Sequence, residues 1–412
     1  MAYINLIRSL FGAGMLGMPL AVSQAGIVVG PILILFAACL IVHMHMTLLF
    51  CLNEISRQLR IPRISYRYGF RIALLSGPSI FRCIGNRGPT IIATFMVLSQ
   101  LGICTVFVTF TSDSLRDMMD WPSNNPALLT LLLPYLLMQS FMTTLKIVSY
   151  VSMFGNLMNL AGLICVFYQI FQDPQGEVNL AATSALQLLF SFGTILFNLS
   201  ALGVILSIDR ALLNPRILSD GCGVVRVGIY IPSCVSMVLG CLGYWSFGAM
   251  EENVLRSLPF DDTVTLVAMG LYLVAVALAF PIQCTPAIQI LLEVIKNRYQ
   301  DETPSEKTLK IFECIARPVF VLMAFFVSYL IPFQGPFVAF VGNLCTTILA
   351  LVFPALMEVS LRYPAHFGKY NIYLIKDIII IIIGLTSWIF GVGICSYLIY
   401  IRLLSRSSPN AE

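Results

Sequence analysis

Long apolar runs separated by short polar breaks set the reading of this chain. With about 20 apolar residues taken as one membrane crossing, the runs predict eleven helices, over 4–20, 26–52, 89–112, 127–147, 148–171, 185–208, 224–247, 263–292, 316–333, 336–359 and 375–401. The second and eighth exceed one span and predict tilt or extension beyond the bilayer. The fold class is therefore all-α and polytopic, with residues 1–404 as a single transmembrane domain and 405–412 as a polar C-terminal tail. Between the second and third helices, segment 66–88 alternates apolar and basic residues, among them Arg71, Ile72, Leu74, Leu75, Ile80, Phe81 and Arg82. It predicts either a short amphipathic helix in the membrane interface, broken at Gly77-Pro78, or a solvated basic loop.

The first run departs from a plain membrane helix. Residues 5–19 are apolar enough to enter a bilayer, yet they carry Gly12, Gly14 and Gly17 and end at Pro19. Glycine lowers helix stability by about 1 kcal/mol relative to alanine and bares the backbone; proline removes a donor. Such a helix unwinds easily near Gly12-Ala13-Gly14. Irregular backbone at membrane depth survives only where protein shields it or it lines a polar cavity. Freed N–H groups at the start of a half-helix attract anions such as a carboxylate, which is how transporters with broken helices hold substrate. The competing reading is that the glycines only let neighbouring helices pack closely.

Composition excludes a soluble fold. The chain has 412 residues, 58% hydrophobic and 11% charged, with mean hydropathy +0.89, where a soluble domain carries about 25% charge. Without a basic leading segment or a small-x-small cleavage site, the first run does not read as a signal peptide. Most of the 12 cysteines lie inside apolar runs and no CxxC pair occurs, so a metal or redox centre has no support. Charge placement gives orientation. Segment 53–88 carries Arg57, Arg60, Arg63, Arg67, Arg71, Arg82 and Arg87 against Glu54, and basic residues also follow the sixth, eighth and tenth helices, whereas alternate junctions hold Asp113, Asp117, Asp120, Asp173 and Glu177. The alternation predicts a cytoplasmic N-terminus and an extracellular or lumenal C-terminus, in a plasma or endolysosomal membrane.

At Gly12-Ala-Gly-Met-Leu-Gly-Met-Pro19, followed by Ala25-Gly26-Ile-Val-Val-Gly-Pro31, the chain resembles the amino acid/auxin permease family, closest to its proton-coupled amino-acid transporter branch. The likeness continues at Val42-His43-Met44, Leu242-Gly-Tyr-Trp-Ser-Phe-Gly248, Tyr329-Leu-Ile-Pro332, Phe340-Val-Gly-Asn343 and Leu349-Ala-Leu-Val-Phe-Pro354 with Glu358. The resemblance implies a leucine-transporter-type fold: helices 1–5 and 6–10 as inverted repeats, an eleventh helix, and helices one and six broken at the midplane around the substrate. Two departures are plain. The family's G-T-G is Gly12-Ala13-Gly14 here, and its F-A-F-E-G-I-G becomes Phe197-Asn-Leu-Ser-Ala-Leu-Gly203, with Ser200 in the acidic position.

These readings place a substrate carboxylate on backbone amides around Gly12, Ala13, Gly14 and Met15, and its amine near Phe197, Asn198 and Ser200, with Gly193 as the flexible point before them. Ionisable residues at membrane depth are costly and mark function. His43 is the candidate for proton coupling or for an interhelical hydrogen bond; two residues from His45, it points to another helix face, so the pair makes no metal site. Arg8 is a gate candidate with Glu358, or it snorkels to the membrane surface. Helix five, with Asn156 and Asn159, holds no lysine or arginine to replace a bound cation. The expected activity is secondary active or facilitative transport of small neutral amino acids, proton-linked, by alternating access. Its partners are that amino acid and the lipid bilayer, without cofactor, metal or nucleic acid. An amino-acid sensor of the same fold is the alternative. No nucleophile–base pair or metal-spaced cluster supports an enzyme.

Overall fold

A computed structural model of the protein describes residues 6–407 except 8, 142–144, 173–177, 183, 212–222, 249, 261, 299–305 and 365–366. Its regular elements are all helical. After a first turn, which bends at Phe11 and Gly12, come α1 (Ala13–Leu16), α2 (Met18–Ala25) and α3 (Val29–Leu59). They are followed by α4 (Tyr66–Ser76), α5 (Ser79–Gly85), α6 (Gly88–Met119), α7 (Asn124–Phe141) and α8 (Leu145–Ile170). A second broken pair, α9 (Ala185–Asn198) and α10 (Leu202–Ala211), precedes α11 (Val224–Phe247), α12 (Thr263–Arg298) and α13 (Glu306–Leu330). Last come α14 (Gln334–Arg362) and α15 (Ile372–Arg406).

Among the described residues, nine helices are long and apolar enough to cross a membrane, counting α9 and α10 as one. The other two expected positions hold the broken segment 6–25 and the 18-residue α7. Boundaries move where amphipathic turns extend an apolar run. The second helix continues past 52 to Leu59, and the ninth starts at Glu306 rather than 316, because a helix keeps its backbone bonds beyond the hydrocarbon as long as one face packs. No break falls between 147 and 148, where α8 is continuous, and the last helical segment runs on to Ser407, into the expected tail.

The segment at 66–88 is helical, and Gly77-Pro78 separates its two helices as expected. It is neither a free loop nor a purely interfacial helix. α4 buries Tyr66, Phe70, Ala73 and Leu74, and the Tyr66 hydroxyl donates to the Leu349 carbonyl at 2.9 Å. That contact fastens α4 to α14.

In lipid, moving an apolar side chain from tail to helix gains little, so close packing and polar bonds hold helices together. α14 is central, with 89% of its apolar window buried against 28% for α15. From Gly342 to Val352, α14 is π-helical, and Ser387–Gly391 of α15 is too. Asn343, fully buried, ties them: it donates to the Leu189 carbonyl of α9 at 3.3 Å and accepts from the Ser387 hydroxyl at 2.6 Å. Elsewhere Tyr135 of α7 meets Phe280 and Phe325 edge-on, with centroids 4.9 and 5.4 Å apart, an arrangement that stabilises by about 0.5–1.5 kcal/mol per pair.

Candidate functional site

The first break is built by backbone. Gly12 is extended (φ −158°, ψ −158°), so the turn ending at Phe11 and the helix starting at Ala13 do not share hydrogen bonds across it. Carbonyls at the end of the first turn carry the negative end of a helix dipole and need donors. Two carboxamides supply them. Asn159 Nδ2 of α8 donates to the Phe11 carbonyl at 2.7 Å, and Gln283 Nε2 of α12 donates to the Ser9 carbonyl at 3.4 Å. Across the break, the Ala13 and Gly14 N–H groups open α1, while the Met15 N–H already donates to the Gly12 carbonyl at 3.1 Å.

The second break lies at Leu199–Ala201, between α9 and α10. The flexible point is therefore not Gly193, which sits inside α9. Its lack of a side chain serves packing: a Cβ there would strike Asn343 Nδ2 and the Ala339 carbonyl, and a Cβ on Gly342 would fall on the Gly193 carbonyl. At the true break Asn198 is buried and donates through Nδ2 to the Ser236 hydroxyl at 3.0 Å, while its Oδ1 has no partner among the described residues.

The two breaks face one narrow cavity. It is lined by Ser9, Leu10, Gly12 and Gly14 from the first, Phe197, Asn198 and Ser200 from the second, Ile103 and Phe107 from α6, and Gln283 from α12. A Cβ built on Gly14 would come within 3.1 Å of Asn198 Oδ1 and 3.2 Å of Asn198 Cα. The two backbones thus approach as closely as glycine allows. Five of the seven residues expected from the sequence line this space. Ala13 and Met15 turn their fully buried side chains into the apolar cluster that contains Phe107 and Phe110.

The remaining candidates lie elsewhere. Both oxygens of buried Glu358 are held, one by Arg362 at 2.9 Å and the other by Lys376 at 2.6 Å. Arg8, its expected gate partner, is outside the described residues. His43 is exposed on the outer face of α3, within electrostatic reach of Lys376 and Glu358. His45 is the histidine that points inward. Sequence reasoning also missed Phe107 and Ile103, which nothing distinguishes inside an apolar helix. Gln283 did carry a signal, a carboxamide at membrane depth between Pro281 and Pro286. Among the described residues no group of three or more His, Cys, Asp or Glu is arranged for a metal ion.

At one end of the molecule, Glu252 accepts from the backbone N–H of Gln334 at 2.6 Å and of Gly335 at 3.3 Å, and pairs with Arg402. Arg256 bonds Asp117 at 3.0 Å. Four elements are thereby laced together: the 250–258 segment, the end of α6, the start of α14 and the end of α15.

Known proteins resemble this chain in sequence and in overall fold. Residues 1–396 match the family described as transmembrane amino acid transporter protein. The proton-coupled amino acid transporter-like protein pathetic of Drosophila melanogaster is 26% identical over 394 residues, covering 94% of this chain and 82% of that one. Amino acid transporter ANT1 of Arabidopsis thaliana is 22% identical over 404 residues, covering 94% and 89%. In three dimensions the chain superposes on a Na+-coupled sialic acid symporter in a substrate-bound outward-open state, with TM-score 0.61 at 10% identity over 97% of this chain and 89% of that one. That last likeness is one of fold alone: the leucine-transporter type with broken helices. The chain belongs to the transmembrane amino acid transporter family, as a multi-pass membrane transporter of amino acids rather than an enzyme.

Proposed function

We propose that the protein moves small neutral amino acids by alternating access, with the substrate between the two helix breaks and its movement linked to protons. One observation carries this reading: the cavity offers unequal ends and neutral walls. On one side the Ala13 and Gly14 N–H groups, which open α1, suit a carboxylate, while that of Met15 is taken by the Gly12 carbonyl. On the other the unpartnered Asn198 Oδ1, with the Ser200 hydroxyl, suits an ammonium group. The walls, Ile103, Phe107 and Phe197, are apolar, and among the described residues no Asp, Glu, Lys or Arg lines the space. A charged substrate side chain would be buried there without a counter-charge, at a prohibitive cost. The narrowness of the space supports a small substrate.

The sensor reading drew on the altered helix six. Asn198 and Ser200 both line the cavity, so that alteration keeps polar groups where an amine would sit, and no observation favours sensing over transport. The test is uptake of radiolabelled amino acids into proteoliposomes, with and without an inward proton gradient. Saturable uptake of small neutral amino acids, stimulated by the gradient, is the expected result. Binding without flux in every condition would overturn the transport reading in favour of a sensor.

A further inference from the structure

Beside the substrate cavity lies a second narrow cavity that shares Ser200 with it. It is lined by His45 of α3, Ser99 and Gln100 of α6, Ser200 at the second break, and Thr346 in the π-helical part of α14. His45, Gln100 and Thr346 are 2%, 4% and 3% exposed. His45 Nδ1 lies 2.7 Å from the Ile41 carbonyl. A carbonyl only accepts, so Nδ1 carries the hydrogen, and in the neutral ring Nε2 is a bare acceptor. Among the described residues Nε2 has no partner. Neither has Gln100 Oε1 or Thr346 Oγ1. Buried polar atoms are nearly always paired, and three orphans around one space call for an occupant that donates hydrogens.

A water molecule does so directly. A proton on Nε2 does so as well, since it turns the ring into a donor toward the two oxygens. The groups facing His45 include Met96, Ser99 and Gln100 from α6, Ser200, Leu202 and Gly203 from the break, and Thr346, Leu349 and Ala350 from α14. None is charged. Imidazolium formed here would be a lone positive charge, tolerated while water reaches the cavity and disfavoured once it is sealed.

We propose that this second cavity is a water-filled proton site, charged and discharged through Nε2 of His45, with Ser200 joining its occupancy to the substrate. The inference rests on the transport reading and deepens it. Proton balance is simple. Nε2 takes a proton from water on one side of the membrane and returns it to water on the other, and the Nδ1–H bond to Ile41 persists throughout.

Two measurements test it. In proteoliposomes, His45→Gln should lower accumulation driven by an inward proton gradient at least tenfold and flatten its pH profile, while slowing counterflow exchange far less. His43→Gln should keep proton-driven accumulation. Accumulation by His45→Gln at the wild-type level would overturn the proposal, and so would wild-type accumulation driven by a sodium gradient instead of protons. The second measurement needs no transport. The chain has three histidines, so 15N-imidazole NMR of the wild type in nanodiscs resolves them, and the lines lost in His43→Gln and His366→Gln leave that of His45 even if His45→Gln fails to fold. Nε2 should titrate while Nδ1 stays protonated, and Thr346→Val should shift the midpoint. A ring that keeps one protonation state across the pH range in which the protein stays folded would overturn the proposal. Absence of both flux and exchange in the wild type, with His45 titrating, would instead reject the transport reading alone.

Discussion

At the scale of single residues, Gly14 decides most about the substrate. A Cβ there would press on Asn198 Oδ1, Asn198 Cα and Phe197 Cδ1 at 3.1–3.2 Å, while a Cβ on Gly12 would meet only the Phe107 ring, at 3.6 Å. Gly14→Ala should therefore raise the half-saturating concentration for uptake about tenfold, equivalent to about 1.4 kcal/mol, and Gly12→Ala should raise it less. The ratio of the two, from uptake titrations normalised to folded protein, checks the claim; equal effects would detach the substrate from Gly14. Gly14→Val adds branches that meet the Asn198 backbone, so it should also lower the yield of folded protein. Gly12, Gly14, Asn198 and Ser200 could be read from the sequence because bare backbone and carboxamides are conspicuous in apolar runs. The facing of Ala13 and Met15 could not, since α1 is helical and rotates successive side chains by about 100°. It leaves the Ala13 N–H in the proposal, turns that of Met15 to the Gly12 carbonyl, and sends both side chains into the core. The same rotation separates His43, the candidate read from the sequence, from His45, and only the packing of α3 against α14 settles which ring faces inward.

At the scale of elements, the first break is held by neutral donors where a cation would also satisfy the carbonyls. That Asn159 stands in helix five was legible in the sequence, although α8 begins at Leu145 and so includes Lys146, which the expected span 148–171 left out. That Asn159 reaches Phe11, 148 residues away, was not, because the pairing depends on how α8 lies against the first helix. Removing that bond strands a buried carbonyl, a loss of about 0.6–1.7 kcal/mol by the measure of interhelical bonds in membranes. Asn159→Asp is more informative than simple loss. An ionised carboxylate would face the Phe11 carbonyl, acceptor against acceptor, whereas the protonated acid would donate. The variant therefore keeps the contact while its side chain is protonated and loses it as the carboxyl ionises. Thermal melts of Asn159→Asp should thus fall from pH 5 to pH 8 relative to wild type. A constant difference across that range would mean that Asn159 does not face the carbonyl in the membrane. Gly193 teaches the converse. A glycine near a functional break reads as a hinge, but here it lets α9 meet α14 at Gly342 and Asn343, a contact that no local pattern encodes.

At the scale of the whole molecule, apolar run length made the helical architecture readable, since it follows from the bilayer and hardly depends on which helices touch. Contacts between distant loops were out of reach. Glu252, Arg256 and Arg402 look like ordinary loop and terminal charges in the sequence, yet Glu252 accepts two N–H groups at the start of α14 and pairs with Arg402 at the end of α15. At the opposite end, Glu358 gathers Arg362 and Lys376, and the basic α4 docks on α14. Both ends are laced, but the arginines are not shared evenly. Segment 53–88 carries seven arginines against one glutamate, and such an excess beside short loops keeps a segment in the cytoplasm. α15 starts beside Glu358, at the α4 end, and ends beside Glu252, so the C-terminus belongs on the side opposite that basic segment. An epitope placed after Glu412 should accordingly be labelled from outside the cell, or from the lumen of an organelle, without permeabilisation. A cysteine introduced at exposed Arg60, at the end of α3, should react only after permeabilisation. Labelling of both sites from the same side would contradict the path of α15 as well as the charge argument. Both sites exchanging sides would leave the fold intact and reject the orientation alone.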